Sequence, residues 1–180
     1  DGHEKRNSGT RSTLSDTDTP GHGDFIKFFD DWRSTQNDNL WQGVDGVNNP
    51  CPAGFRVPTE AEWQAEIDNG GITNSAGAFS SPLKLPVAGR RSSDDGSLSL
   101  VGSFGVYWSS SVDGTFARRL SFLSGDAGMN SSRRAFAFSV RCIKHVVPTV
   151  TNATTGAVWM DRNLGASKVA TSSTDADAYG

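Results

Sequence analysis

Few residues of this 180-residue chain combine the type and the spacing that chemistry needs. The two cysteines, Cys51 and Cys142, each lie beside a stretch that reads as ordered: NNPCPAGFRVP ahead of a helix and FSVRCIKH on a strand. Neither has the setting of a flexible reactive thiol, and two states fit such a pair, a disulfide or two buried free thiols. A bridge would close a loop of about 90 residues and, on the chain-entropy model, contribute about 4–5 kcal/mol by restricting the unfolded chain. It would also imply oxidising, extracytoplasmic surroundings. The histidines, His3, His22 and His145, show no HxxxH or HExxH spacing and do not read as a zinc site; GHG around His22 reads as a turn. In STDADAYG, Asp175 and Asp177 followed by Gly180 weakly resemble the start of a calcium loop, but Tyr179 stands where the fifth oxygen ligand belongs. The expectation is no cofactor, with Ca2+ at Asp175 and Asp177 as the one candidate.

Two triplets fit the rule for N-linked glycosylation, NSS at Asn130 and NAT at Asn152, both read as polar turns. The Ser/Thr density of PTVTNATT and ATSSTD adds scope for O-linked sugars.

The elements that must carry these residues are short. Glycine is abundant, with 20 residues, and Ser, Thr, Asn and Asp outnumber Lys and Glu, so loops and short strands are favoured over long helices. The predicted class is loop-rich α+β, with one clear helix over about 58–68. Thr59 caps it, Glu62 at N3 completes a capping box, Ala61, Trp63, Ala65 and Ile67 supply apolar surface, and Gly70 and Gly71 stop it. The acidic residues of its first turn complement the helix dipole and are read as stabilising rather than catalytic. Residues 1–23 are polar and read as a long surface loop. FIKFFDDW brings the first apolar cluster, and the Gly/Ser/Asn-rich stretch after the helix reads as a connection. SLSLVGSFG, VYWSSSV, TFARRLSFL and RRAFAFSVRCI read as short antiparallel strands. In the last, Phe136, Phe138, Val140 and Cys142 alternate with Ala135, Ala137, Ser139 and Arg141. Pro148 limits the run after Val146 to an edge strand or a linker. Two segments result, a globular module over 1–145 and a tail over 146–180.

A formal charge of −3 and a pI near 5.5 give no net field that would attract nucleic acid or an anionic membrane. No window approaches the roughly 20 apolar residues that span a bilayer. Aromatic content of 9% and hydrophobic content of 35% argue for a folded chain.

WMDRNLGAS, DADAYG, DTPGHGDFI, NDNLWQG, NPCPAGFRVPTEAEWQAEI, SPLKLPVAGRR, GVYWSSS and FSVRC together resemble the bacterial Fibrobacter succinogenes major paralogous domain family, itself similar to formylglycine-generating-enzyme and C-type-lectin-like folds. The resemblance covers nearly the whole chain. It implies a C-type-lectin-like module, secreted or at the cell surface, with Cys51 bridged to Cys142. The oxidases of that wider group use a cysteine pair near the end of the fold; Cys142 has no second cysteine nearby, so that activity does not carry over and a non-enzymatic protein is expected. The EPN and WND calcium signatures of C-type lectins are absent as well.

The order differs from the family's. There WMDRNLGAS and DAYG open the domain and VRC closes it; here 1–145 run to the close and 146–180 restart. A circular permutation, a stretch of tandem repeats, or an opening segment that packs into a neighbouring subunit would each produce this order. The last two both imply a repeating assembly. The expectation is therefore an extracellular filament subunit or tandem-repeat adhesin, its partners being copies of itself, joined by strand exchange through Val147, Thr149, Val158, Trp159, Met160 and Leu164. The rival expectation is a monomeric lectin-like domain, whose late strands in related proteins display variable side chains. Its candidate face comprises Arg90, Arg91, Ser93, Asp95, Tyr107, Phe116, Arg118, Arg119, Asn130, Arg133 and Arg134, which equally fit ordinary solvated strands with inward aromatics.

Overall fold

The computed structural model describes residues 9–146, 148–161, 168–172 and 174. Val147, Leu164, Asp175 and Asp177, named above for assembly and for calcium, lie outside the described residues, as does His3. The chain divides into two compact units, 1–144 and 145–180.

Among its described residues the first unit is mixed, with two short helices and several small sheets. Helix α1, Glu60–Asp68, starts as its sequence dictates: Thr59 Oγ1 accepts from Glu62 N while the Glu62 carboxylate accepts from Thr59 N. Trp63 is its buried anchor, and its indole Nε1 donates to Trp108 O at 3.2 Å. A second helix, α2, Ser75–Ser80, occupies part of the stretch expected to be a connection; Asn74 caps it by accepting from Gly77 N. Six residues with a central glycine leave little periodicity to read.

Both helices serve one antiparallel meander, β6 (Gly105–Asp113), β7 (Phe116–Phe122) and β8 (Ala127–Arg133), in that spatial order. Tyr107, Leu120 and Phe122 on one face pack with Trp63, Ile72, Ala78 and Leu85 into the core. Tyr107 stacks on Phe122 at 5.9 Å between centroids. At Gly105 an added Cβ would lie 2.0 Å from the Phe122 ring, so the absent side chain is what lets β6 and β7 close over that phenyl group. The β6–β7 register shifts between Trp108 and Val112. Beside this irregularity Ser110 N donates to Pro58 O and Ser111 Oγ accepts from Glu60 N, tying the strand to the start of α1.

Around the meander lie two-residue pairs: β1 (Thr10–Arg11) parallel to β2 (Phe25–Ile26), β3 (Phe55–Arg56) antiparallel to β9 (Ile143–Lys144), and β4 (Arg90–Arg91) antiparallel to β5 (Leu98–Ser99). Cys51 and Cys142 form a disulfide with a Cα–Cα distance of 5.8 Å, so both cysteines are oxidised and neither is a free thiol. The bridge clamps the segments entering β3 and β9.

Two strand expectations shift. RRAFAFSVRCI shares its first residue with β8 and its last with β9, and between them forms only single bridges, Ala137 with Arg91 and Ser139 with Tyr107. The third strand of the meander is instead AGMNSSR, whose polar residues and glycine hide the pattern. Residues 10 and 11, expected in a loop, form β1.

The described residues of the second unit form a hairpin, β10 (Thr149–Thr151) and β11 (Val158–Met160), paired Thr149 with Met160, Val150 with Trp159 and Thr151 with Val158. Pro148 sits just outside the ladder, where its missing N–H costs no strand bond. Asn152 Oδ1 accepts from Thr154 N and Thr155 N, and Gly156, with φ at 71°, closes the turn.

Candidate functional site

The first unit holds a cleft of about 490 Å³. Trp32, Leu40, Trp41 and Trp108 line it together with Phe25 and Ile26, and Phe136, Ala137 and Phe138 form part of its wall. The sequence signals this only through the aromatic cluster near FIKFFDDW and a count of five tryptophans; the gathering of residues from four distant segments is tertiary.

The wall at 136–138 rests on stacked aromatics. Phe138 lies 4.2 Å from Trp108 and 5.5 Å from Phe136, centroid to centroid. Arg90 covers Phe136 at 4.9 Å, and Arg119 sits over Phe104 and Phe138 at 5.6 and 5.7 Å. Burial, and secondarily Arg90, draw the Arg119 guanidinium below its ordinary pKa. Its Nε donates to Ser132 Oγ at 2.6 Å.

The backbone of this wall is bonded along one edge. Ala137 exchanges both hydrogen bonds with Arg91, while Ser139 donates to Val106 O and accepts from Trp108 N. Strand alternation turns the N–H and C=O of Phe138 and Val140 to the opposite edge, where no described residue of the first unit partners them. Both residues are half-buried.

Polar groups of the cleft are largely committed. Ser109 Oγ donates to Arg118 O and Ser110 Oγ to Pro58 O. His22 Nδ1 accepts from Asp24 N, and Arg134 Nη2 meets Asp38 at 2.6 Å. Asp31 is raised above the ordinary carboxylate pKa by its burial, against a backbone bond from Arg33 N and the charge of Arg134. Among the described residues no group of three His, Cys, Asp or Glu side chains is placed to hold a metal.

The late-strand residues do not come together as one face. Tyr107 is 3% exposed, inside the core; its hydroxyl donates to Pro86 O at 3.0 Å, and burial pushes its pKa up to about 12. Arg91, 6% exposed, donates to Gly96 O and lies 4.5 Å over Phe25. Arg118 turns to the α1 side and pairs with Glu60; its β7 neighbour Arg119 faces the other way. Arg133 bridges Asp30 and Asp94 and covers Phe29. Arg134 is tied to Asp38, Gly114 O and Asn37 O. Ser93 is buried, Asp95 accepts from Ser97 N in a turn, and Phe116 is exposed at the start of β7.

Asn130 lies mid-strand on β8 rather than in a turn, exposed, with Nδ2 donating to Ser121 Oγ at 3.0 Å. Asn152 does sit in a turn, its carbonyl oxygen held by two backbone amides and the residue exposed.

The hairpin of the second unit has apolar side chains on both faces. Val150 and Trp159 form one cross-strand pair, and Val158 and Met160 lie on the other face, opposite Thr151 and Thr149. Trp159 is 63% exposed and Val158 64%, with Val150 and Met160 exposed beside them. Bonds from Asn152 N to Ala157 O and from Asp161 N to Pro148 O fix which pairs exchange hydrogen bonds, leaving the backbone of Val158 and Met160 on the outer edge of β11. Residues 146–160 contain no Asp, Glu, Lys or Arg, in a chain that is 21% charged.

Compared with protein-family models, curated proteins and solved structures, the chain has no match.

Proposed function

We propose that this chain is a non-enzymatic, C-type-lectin-like structural module that joins copies of itself through residues 146–180, as the repeating subunit of an extracellular or cell-surface filament or tandem-repeat adhesin. One observation carries it: a two-stranded hairpin, apolar on both faces and free of charge over residues 146–160, forms its own unit beyond β9. An isolated two-stranded hairpin is marginal in water, and exposed, uncharged strand edges favour pairing with another chain. The Cys51–Cys142 disulfide supports an oxidising location, and the exposed Asn152 turn supports a glycan there.

The test is light scattering after size exclusion, over a range of concentrations, with negative-stain microscopy. The chain should form concentration-dependent oligomers with a filamentous repeat, and Trp159→Asp/Met160→Asp should hold it monomeric. A wild-type chain that stays monomeric at all concentrations would end the proposal. A second reading, a ligand-binding domain, draws on the tryptophan-lined cleft, whose volume falls in the range of small-ligand sites; saturable binding of a small molecule by a monomeric wild-type chain would favour it.

A further inference from the structure

Resting on that self-association, the geometry points to a specific acceptor: the unpaired edge at Phe138 and Val140, beside the tryptophan-lined cleft, receives strand β11 of a second copy. Three observations meet here. The acceptor edge presents N–H and C=O groups two residues apart, at Phe138 and Val140, with no partner among the described residues of the first unit. The donor edge presents the same groups with the same spacing, at Val158 and Met160. Strand addition of this kind takes its affinity from the main-chain ladder and its specificity from the pockets that receive alternate side chains.

The side chains fit the same scheme. Successive residues of an added strand point to opposite faces, so a ladder through Val158 and Met160 directs those two to one side and Trp159 to the other. The cleft wall offers Trp108, Phe136 and Phe138 to an apolar knob. Because 146–160 is uncharged, its burial leaves no ion without a partner. A cleft of about 490 Å³ accommodates a few side chains of this size and not a whole domain, which favours a strand as occupant.

The occupant is a second copy of this chain, and amide hydrogen exchange resolved by residue tests it. In the Trp159→Asp/Met160→Asp chain the amides of Phe138 and Val140 should exchange rapidly; in the assembled wild type they should be protected at least tenfold. Val112 lines the cleft and is exposed, so Val112→Arg should leave the fold intact, judged by its circular dichroism, while weakening self-association at least tenfold. If the wild type assembles but Phe138 and Val140 exchange equally fast in both chains, the acceptor is elsewhere and the self-assembly reading survives. A monomer with those amides protected would put its own hairpin in the cleft and overturn the partner assigned here. A monomer with them unprotected would overturn both.

Discussion

Replacing Glu62 isolates how the first helix is anchored. Its carboxylate accepts from Arg56 Nη1 and Nη2 at 2.7 and 2.6 Å and from Thr59 N at 2.8 Å. The Arg56 bonds, followed by those from Thr59, hold its pKa down at about 2 against an ordinary 4.5. At about 1.4 kcal/mol per unit the gross effect is about 3–4 kcal/mol. The Glu62 side chain is 32% exposed, and screening by solvent cuts this to about 1–2 kcal/mol. Because the folded pKa is the lower one, the stabilisation is full above pH 4.5 and is lost as pH falls toward 2. Glu62→Gln, which keeps an acceptor for Thr59 N, should therefore lose about 1–2 kcal/mol at pH 7 and converge on the wild type near pH 2. Glu62→Ala also removes the cap, worth about 1 kcal/mol, and should lose about 2–3 kcal/mol. Urea titrations from pH 2 to pH 7 read both. A wild-type-to-Gln difference that stays constant across that range would refute the assignment of the ion pair as its source.

Three further outcomes follow from the same structure. Replacing Cys51 and Cys142 together by serine opens a loop with a sequence separation of 91 and should lower stability by about 4–5 kcal/mol; a loss under 1 kcal/mol in denaturant titration would contradict it. Gly105→Ala drives a methyl group into Phe122, which is 1% exposed, and should cost about 1–3 kcal/mol as an overpacked core; an unchanged melting temperature would show that the ring can shift. Glycopeptide mass spectrometry of the chain from its native source should find sugar at Asn152, exposed in its turn, in preference to Asn130, whose amide nitrogen is bonded to Ser121 within a strand; the reverse order would contradict this accessibility argument.

What could be read from sequence was local. Thr59 and Glu62 declare the α1 start because a capping box is made of neighbours, and the alternation in VYWSSSV and TFARRLSFL marks strands that the meander uses in full. In the tail, Pro148 marked an edge strand or a linker, but the pairing of 149–151 with 158–160 was not read from the sequence. The cleft was not legible, since Trp32, Trp41, Trp108 and Phe138 are brought together only by the fold. Nor was the dispersal of the arginines: Arg118 and Arg119 are adjacent in sequence and part to opposite faces of β7, and Arg91 is buried with its guanidinium over Phe25. FAFSV alternates as a strand does, yet alternation alone does not reveal that, among the described residues, one edge is left without a ladder.

Head-to-tail assembly is tested most directly by mixing two chains, each lacking one half of the interface. Trp159→Asp/Met160→Asp removes the donor and Val112→Arg blocks the acceptor, so each chain alone should be monomeric by mass photometry. Mixed, they retain one sound donor and one sound acceptor and should form 1:1 dimers and nothing larger. A mixture that remains monomeric while the wild type polymerises, or that forms long polymers, would contradict the head-to-tail account.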